Sequence, residues 1–532
     1  MSKTLECKLH VGVPHAEEEP ALGPKQEQPM MHIVMVPYPL QGQINPMMQF
    51  AKALIAKHSV KVSFINIKHH HDRMQKARSL SSAHDSMIAS SRRHVQSRDE
   101  LQERLEFLWV DNGLPNDFDY TDIRAKIRDF HFATLNMKGP LKQILERLNQ
   151  KSPSISCVMF GSFCSWVHTI SAELGIPSVF FWSQSMAVLS IYYHAPLLDA
   201  NGLFPYKKHA TSDPAVEQEV SHDTCKLVSY LPGVPPLHPS DIPTLLHVDG
   251  LSDPVYVMLR EHLSVLQNCQ GIIINSFEEL ERDAYQVIQK ELPFPVTLAG
   301  PLIPSAFLEG DVSDASVGAS LLEENIECID WLNHQRKQSV LYVSFGSLLN
   351  PSPEDLATIA NGIKNSEQPF LWVIRPRSSI RNVASILPEG FMDDTKELGL
   401  IIPWAPQLQV LSHPSVGAFL THCGWNSTLE ALSMGVPMIC CPLFTDQPTN
   451  SAYMCKFWKI GIALKRHVDD SLRILDVERV VKTVLLEKEG EEMRKRAVEL
   501  REDAKRAIRA QGSSCIHMEE FIQTVRSHRN GK

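Results

Sequence analysis

Short apolar runs alternate with helix-like segments in two successive series, and that alternation narrows the folds open to the chain. His32-Ile33-Val34-Met35-Val36 is the first run, closed by Pro37 and a turn at Gln41-Gly42. Asn45-Pro46 then offers an N-cap and a first-turn proline, with Met47, Phe50, Ala51 and Leu54 at helical spacing. Further runs lie at Val60 to Ile67, Phe107 to Val110, Cys157 to Phe160, Ser178 to Trp182 and Ile272 to Ile274. Helical stretches such as Leu141 to Leu148 separate several of them. A second series comprises Val340 to Phe345, Phe370 to Ile374, Leu400 to Ile402, Ala418 to Leu420 and Met438 to Cys440. Strands alternating with helices build parallel sheets covered on both faces. The expected fold class is α/β, with two doubly wound Rossmann-like domains facing a cleft. Ligands in such folds sit at the carboxyl ends of the strands.

The length of 532 residues suits two domains rather than one core. Residues 1–30 are polar, with Glu17-Glu18-Glu19 and several prolines, and read as a disordered extension. Residues 31–300 form the first domain and 325–532 the second. Between them, 301–324 carries Gly310, Asp311, Ser313, Asp314, Ser316 and Gly318 and reads as a linker. Late in the chain Met493, Ala497, Leu500, Ala504 and Ala507 share one face of a charged helix, which reads as a surface helix of the fold.

Composition closes off other classes. Hydrophobic residues at 43% and charged residues at 21% are globular values. A formal charge of -9 argues against a nucleic-acid partner, which needs a basic face. The 11 cysteines lack metal-ligand spacing and read as reduced thiols of a cytoplasmic protein. No apolar run is long enough for a membrane span, and no basic flank followed by an apolar stretch opens the chain. No G-x-G-x-x-G follows a strand, as a dehydrogenase would need, and there is no G-x-S-x-G elbow of a hydrolase. His69-His70-His71 is the one metal candidate, but three consecutive side chains splay apart in a strand or loop. No metal and no cofactor is expected.

The most informative stretch runs from Trp404 to Gln447. Within it, His422-Cys423-Gly424-Trp425-Asn426-Ser427 follows an apolar strand and opens a helix that Gly435 and Pro437 stop. A helix N-terminus offers free N–H groups and a positive dipole end, which suits a diphosphate. Gly424 lets the backbone approach, and His422, Asn426 and Ser427 can donate hydrogen bonds. Taken singly, Trp404 reads as a core aromatic, Glu430 as a solvated helix residue and Gln447 as a loop residue. Together they match the ungapped signature box of plant UDP-dependent glycosyltransferases that act on small molecules, and the resemblance extends over most of the chain from His32 onward.

That resemblance implies a GT-B fold, no divalent metal, and inversion at the anomeric centre. It makes the first domain the acceptor-binding one and the second the UDP-sugar-binding one. It implies that Trp404 stacks on the uracil, Gln407 holds the nucleoside, and Glu430 accepts from the ribose hydroxyls. His422, Asn426, Ser427 and the upstream Ser347 would hold the diphosphate. Trp425, Asp446 and Gln447 would meet the sugar, and glutamine at 447 goes with glucose as donor.

The resemblance breaks on the acceptor side. The family deprotonates its acceptor with a histidine after the first strand, oriented by an aspartate after a later one. Those positions here hold Gln43 and Gly161. A side-chain amide is not basic, and an orienting aspartate without its partner would be a costly buried charge, so the two losses belong together. Three explanations follow. The acceptors are already ionised; or a surrogate base acts, with His69, His70, His71 and Asp111 ahead of Glu279 and His194; or the protein binds a UDP-sugar or small molecule without turnover.

Overall fold

The computed structural model describes residues 29–85, 103–115, 118, 127–206, 227–310, 324–348, 350–375, 383–467 and 469–530. The expected extension, apart from Pro29 and Met30, and most of the expected linker lie outside the described residues.

Two parallel sheets organise the chain. The first contains β1 (Met31–Val36), β2 (Val60–Ile67), β3 (Leu105–Val110), β4 (Ile155–Gly161), β5 (Ser178–Trp182), β6 (Ile272–Ile274) and β7 (Val296–Leu298), in spatial order β3-β2-β1-β4-β5-β6-β7. The second contains β8 (Val340–Ser344), β9 (Phe370–Val373), β10 (Gly399–Ile402), β11 (Val416–Thr421), β12 (Met438–Cys440) and β13 (Gly461–Ala463), in order β10-β9-β8-β11-β12-β13. All six residues of β1 and all seven of β4 are buried, which is why these strands read as unbroken apolar runs. Apolar clusters line both faces of each sheet. Strand order reverses between β1 and β4 in the first sheet and between β8 and β11 in the second. Each reversal sends neighbouring connections to opposite faces and opens a crevice at the strand ends.

Three features differ from the sequence reading. The first helix runs Gln41–Lys57, so Asn45 is not its N-cap and Pro46 lies inside it. The backbone of Leu40 caps it without a side-chain hydrogen bond. The three histidines at 69–71 lie in the helix Lys68–Asp85 rather than in a strand or loop. The final helix, Ser513–Asn530, leaves the second sheet and returns to the first. Its Met518, Phe521, Ile522 and Val525 join the cluster of Phe50 and Phe181, and the His517 ring accepts the Leu298 N–H at 3.2 Å.

The helix Lys488–Ile508 buries Met493, Ala497, Ala504 and Ala507, so its small-residue face is covered by the fold itself. No described helix is long and apolar enough to cross a membrane.

Candidate active site

Both switch points open onto the same cleft. Gln43 sits in the first turn after β1, and Gly161 ends β4. Across the cleft, Ser347 follows β8 and His422 follows β11. A Cβ on Gly161 would stand 3.3 Å from the Gln43 Oε1 and 2.9 Å from the Tyr38 backbone nitrogen, so positions 43 and 161 are immediate neighbours.

On the second sheet's side, His422 is held between two glycines. A Cβ on Gly346 would come within 2.6 Å of its ring, and one on Gly424 within 2.4 Å. Gly346 also has φ 74, a conformation that side chains other than glycine's disfavour. Burial pushes the His422 imidazole down to about 4, so at neutral pH it is an uncharged hydrogen-bonding group. Cys423 turns the chain with φ 67, and Gly424 caps the helix Trp425–Met434 without any side-chain bond. The first N–H groups of that helix are therefore left by its cap to an incoming group.

One helical turn further, the expected nucleoside residues meet. Gln407 donates from Nε2 to Glu430 Oε2 at 2.6 Å and to Ser427 Oγ at 3.0 Å, and its Oε1 accepts from the Tyr342 hydroxyl at 3.1 Å. Burial raises the Glu430 carboxyl to about 7, partly opposed by the bond from Gln407. Trp404 is half-buried, packed on the second sheet's cluster beside them.

Trp425, Asp446 and Gln447 are more enclosed. Trp425 is only 3% exposed, and its indole N–H donates to the Asn275 carbonyl at 2.7 Å, just past β6. Asp446 accepts from Thr445 at 2.8 Å, from Asn450 at 2.7 Å and from Gln184 across the cleft at 3.4 Å. Burial raises its carboxyl above the usual range, with the Thr445 and Asn450 hydrogen bonds opposing. The Gln447 Oε1 accepts the Leu443 and Phe444 N–H groups at 2.7 and 2.9 Å, which leaves its NH₂ as the free end.

The two walls are joined by several bonds. Asn426 Nδ2 donates to the Gly42 carbonyl at 2.8 Å, and the backbones of Thr244 and Thr445 pair at 2.8 Å. Lys456 meets the Asp241 carboxylate at 2.6 Å. The proline-rich segment around Asp241 is therefore part of the clasp between the two sheets.

The surrogate bases named from sequence are mostly committed elsewhere. His70 bonds the Pro39 carbonyl at 2.9 Å, and burial lowers it to about 3. His71 pairs with Gln75 at 2.9 Å, and His194 Nδ1 donates to the Ser190 carbonyl at 2.9 Å. Asp111 accepts the Gly113 N–H at 2.9 Å, and Glu279 accepts from Ser513 in the final helix at 2.8 Å. His69 stacks edge-on against His70. Among the described residues no group of histidine, cysteine, aspartate and glutamate side chains could hold a metal.

Sequence reasoning missed three polar residues here. Gln184, just beyond β5, reaches Asp446, and the strand-end rule that marked Gln43 could have found it. His131 and His262 approach within 5.7 Å beside Tyr38 and Phe163, the aromatics that flank the 43–161 pair. His131 lies mid-helix and His262 in the last turn of its helix, with no spacing signal, and only tertiary packing brings them together.

Paired switch points on opposite walls of one cleft are what a two-substrate enzyme of the GT-B class requires. The profile of the UDP-glucoronosyl and UDP-glucosyl transferase family matches residues 294–503. The chain is 34% identical to the 7-deoxyloganetin glucosyltransferase of Gardenia jasminoides over 93% of its length and 98% of that protein's. It is 32% identical to the (R)-mandelonitrile beta-glucosyltransferase of Prunus dulcis, over 95% of this chain and 99% of that one. Among solved structures it resembles Phytolacca americana UGT2 complexed with UDP-2fluoro-glucose and pterostilbene, with TM-score 0.71, 27% identity, and 93% and 99% of the two chains covered.

The chain belongs to the plant-type UDP-dependent glycosyltransferase family. It is a glycosyltransferase that takes a UDP-sugar donor and a small-molecule acceptor.

Proposed function

We propose that this protein transfers glucose from UDP-glucose, with inversion, to an acceptor that is already ionised: a carboxylate or an acidic phenol. The observation that carries this reading is the Gln43–Gly161 pair, which puts no proton acceptor and no negative charge where the acceptor must reach the sugar. Two further features support it. The helices Gln41–Lys57 and Trp425–Met434 meet first turn to first turn, and neither first turn holds an acidic residue. Their positive ends favour anions, each by about 0.3–1 kcal/mol at exposed sites. An aspartate at 161 would repel a carboxylate acceptor; glycine does not.

The chemistry balances without a base. A carboxylate oxygen attacks C1 of glucose, the C1–O bond to the diphosphate breaks, and UDP leaves with the electron pair. No proton has to move, because carboxylic acids with pKa near 4 are ionised at neutral pH. The residues proposed to hold the donor are Trp404, Gln407 and Glu430 for the nucleoside, and Ser347, His422, Asn426 and Ser427 for the diphosphate. Trp425, Asp446 and Gln447 are proposed for the sugar. Residues 31–300 supply the acceptor pocket and 325–532 the donor site, apart from the last helix, which packs on the first sheet. A cytoplasmic location belongs to the proposal, supported by the unpaired state of the described cysteines.

The test is product analysis after incubation with UDP-glucose and cinnamate. The expected product is a glucose ester cleaved by mild hydroxylamine. Saturable UDP-glucose binding with no UDP release from acidic or neutral acceptors would instead leave a non-catalytic binding protein.

A further inference from the structure

Pro46 lies at the sixth position of the helix Gln41–Lys57, where a helical residue normally donates its N–H to the carbonyl four residues back. Proline has no N–H. The carbonyl it leaves without that bond belongs to Gly42, and the Gly42 carbonyl is the group that accepts the Asn426 side-chain amide from the opposite wall at 2.8 Å. Asn426 is the second residue of the helix Trp425–Met434. Gly42 is solvent-facing and has no side chain; a Cβ there would come within 3.9 Å of the Asn426 amide. Gln43 is the next residue along.

We propose that Pro46 is a positioning residue for glycosyl transfer: by withholding an N–H from Gly42 it frees that carbonyl for Asn426, and this bond sets the register of the acceptor-side helix against the donor-side helix. The inference rests on the reading of the cleft as the transfer site. Other contacts join the walls, but this one ties the first turn carrying Gln43 to the first turn proposed for the diphosphate. A carbonyl already bonded within the helix would be a poorer acceptor, because its N–H partner would compete with the Asn426 amide. Proline inside a helix otherwise costs stability, so it needs a compensating role.

The test is a double-mutant cycle on the full chain with Pro46→Ala and Asn426→Ala, read in two ways. With UDP-glucose and cinnamate, Pro46→Ala should lower kcat/KM about fivefold to tenfold, the worth of one hydrogen bond, and should cause no further loss on the Asn426→Ala background. In the unliganded protein, the fall in Tm caused by Asn426→Ala should shrink or vanish on the Pro46→Ala background. Asn426→Asp, of the same shape but unable to donate, repeats the cycle. Pro46→Ser restores the N–H a second way if the alanine variant fails to fold. Met48→Ala, a buried neighbour that leaves Gly42 free, should be additive with Asn426→Ala. Equal losses from Pro46→Ala on both backgrounds, or none on either, overturn the proposal. If the wild type turns over no acceptor, the transfer reading falls, and the Tm coupling alone decides whether Pro46 sets the register.

Discussion

The side-chain oxygen of Gln43 lies 3.3 Å from the point where a Cβ on Gly161 would stand, and it has no hydrogen-bond partner. Two positions separated by more than a hundred residues in sequence are thus one site, built by the pairing of β1 with β4. A carboxylate introduced at 161 would face another acceptor atom. The same Cβ would also press on the Tyr38 backbone at 2.9 Å.

Gly161→Asp alone should therefore destabilise the protein, by about 1–3 kcal/mol for the overpacking. Combined with Gln43→His, whose ring N–H can donate to the new carboxylate, part of that loss should return. Turnover of a neutral alcohol should rise in the double variant by more than the product of the single changes, because base and orienter act as a unit. Urea unfolding and initial rates at saturating UDP-glucose on all four proteins check both parts. Purely multiplicative rates would reject the pairing.

Trp404→Ala should weaken UDP binding by about 1–3 kcal/mol, the usual worth of base stacking on an aromatic ring. The indole is half-buried at the edge of the second core, so the fold should survive its truncation. Calorimetric titration with UDP decides the matter; unchanged affinity would remove Trp404 from the donor site.

Glu430 supplies a pH signature. Its carboxyl is raised to about 7 by burial, so below that pH it is largely protonated in the free protein. The ionised form can accept from both ribose hydroxyls, whereas protonation turns one of its oxygens into a donor and weakens that pairing. UDP-glucose affinity should thus rise with pH across about 6 to 8 and level off above, with a limiting slope of about tenfold per unit. UDP-glucose is the right probe because its diphosphate does not titrate in that range. In Glu430→Gln the slope should vanish; a slope that persists would assign the titration elsewhere.

Donor preference should be glucose. Gln447 spends its carbonyl on two backbone N–H groups and keeps its NH₂ as a donor, while Asp446 stands beside it as acceptor. An epimer with a misplaced hydroxyl would leave one of these groups unpaired in a buried site. Competition among UDP-glucose, UDP-galactose and UDP-glucuronate should favour the first; preference for either other donor contradicts the assignment.

Much of the fold was legible because buried parallel strands are continuous apolar runs: β2, β5, β6 and β12 have the bounds that the sequence suggests. β7 and β13 were not: unlike the equally short but wholly apolar β6 and β12, these edge strands carry Thr297 or open on Gly461, so no continuous apolar run marks them. The start of the first helix is hidden in the sequence because Asn45-Pro46 imitates a helix N-terminus, while the true cap, Leu40, has no capping side chain. The return of the final helix to the first sheet has no local signal, since its apolar face would suit either core. On the donor side, His422, Gln407 and Glu430 were readable as a box because they fall within one short stretch. The contact between His131 and His262 is made by separate helices, and only packing reveals it.

The most direct test of the account compares cinnamate with cinnamyl alcohol, two acceptors of similar shape that differ in whether a proton must be removed. With UDP-glucose saturating, the wild-type protein should glucosylate the acid and should act on the alcohol more slowly by a factor of about 10²–10⁴, the usual worth of a general base. An alcohol turned over as fast as the acid would contradict the account. It would mean that a base is at work in the cleft, and alanine variants at His69, His71, His131 and His262 would be the way to find it.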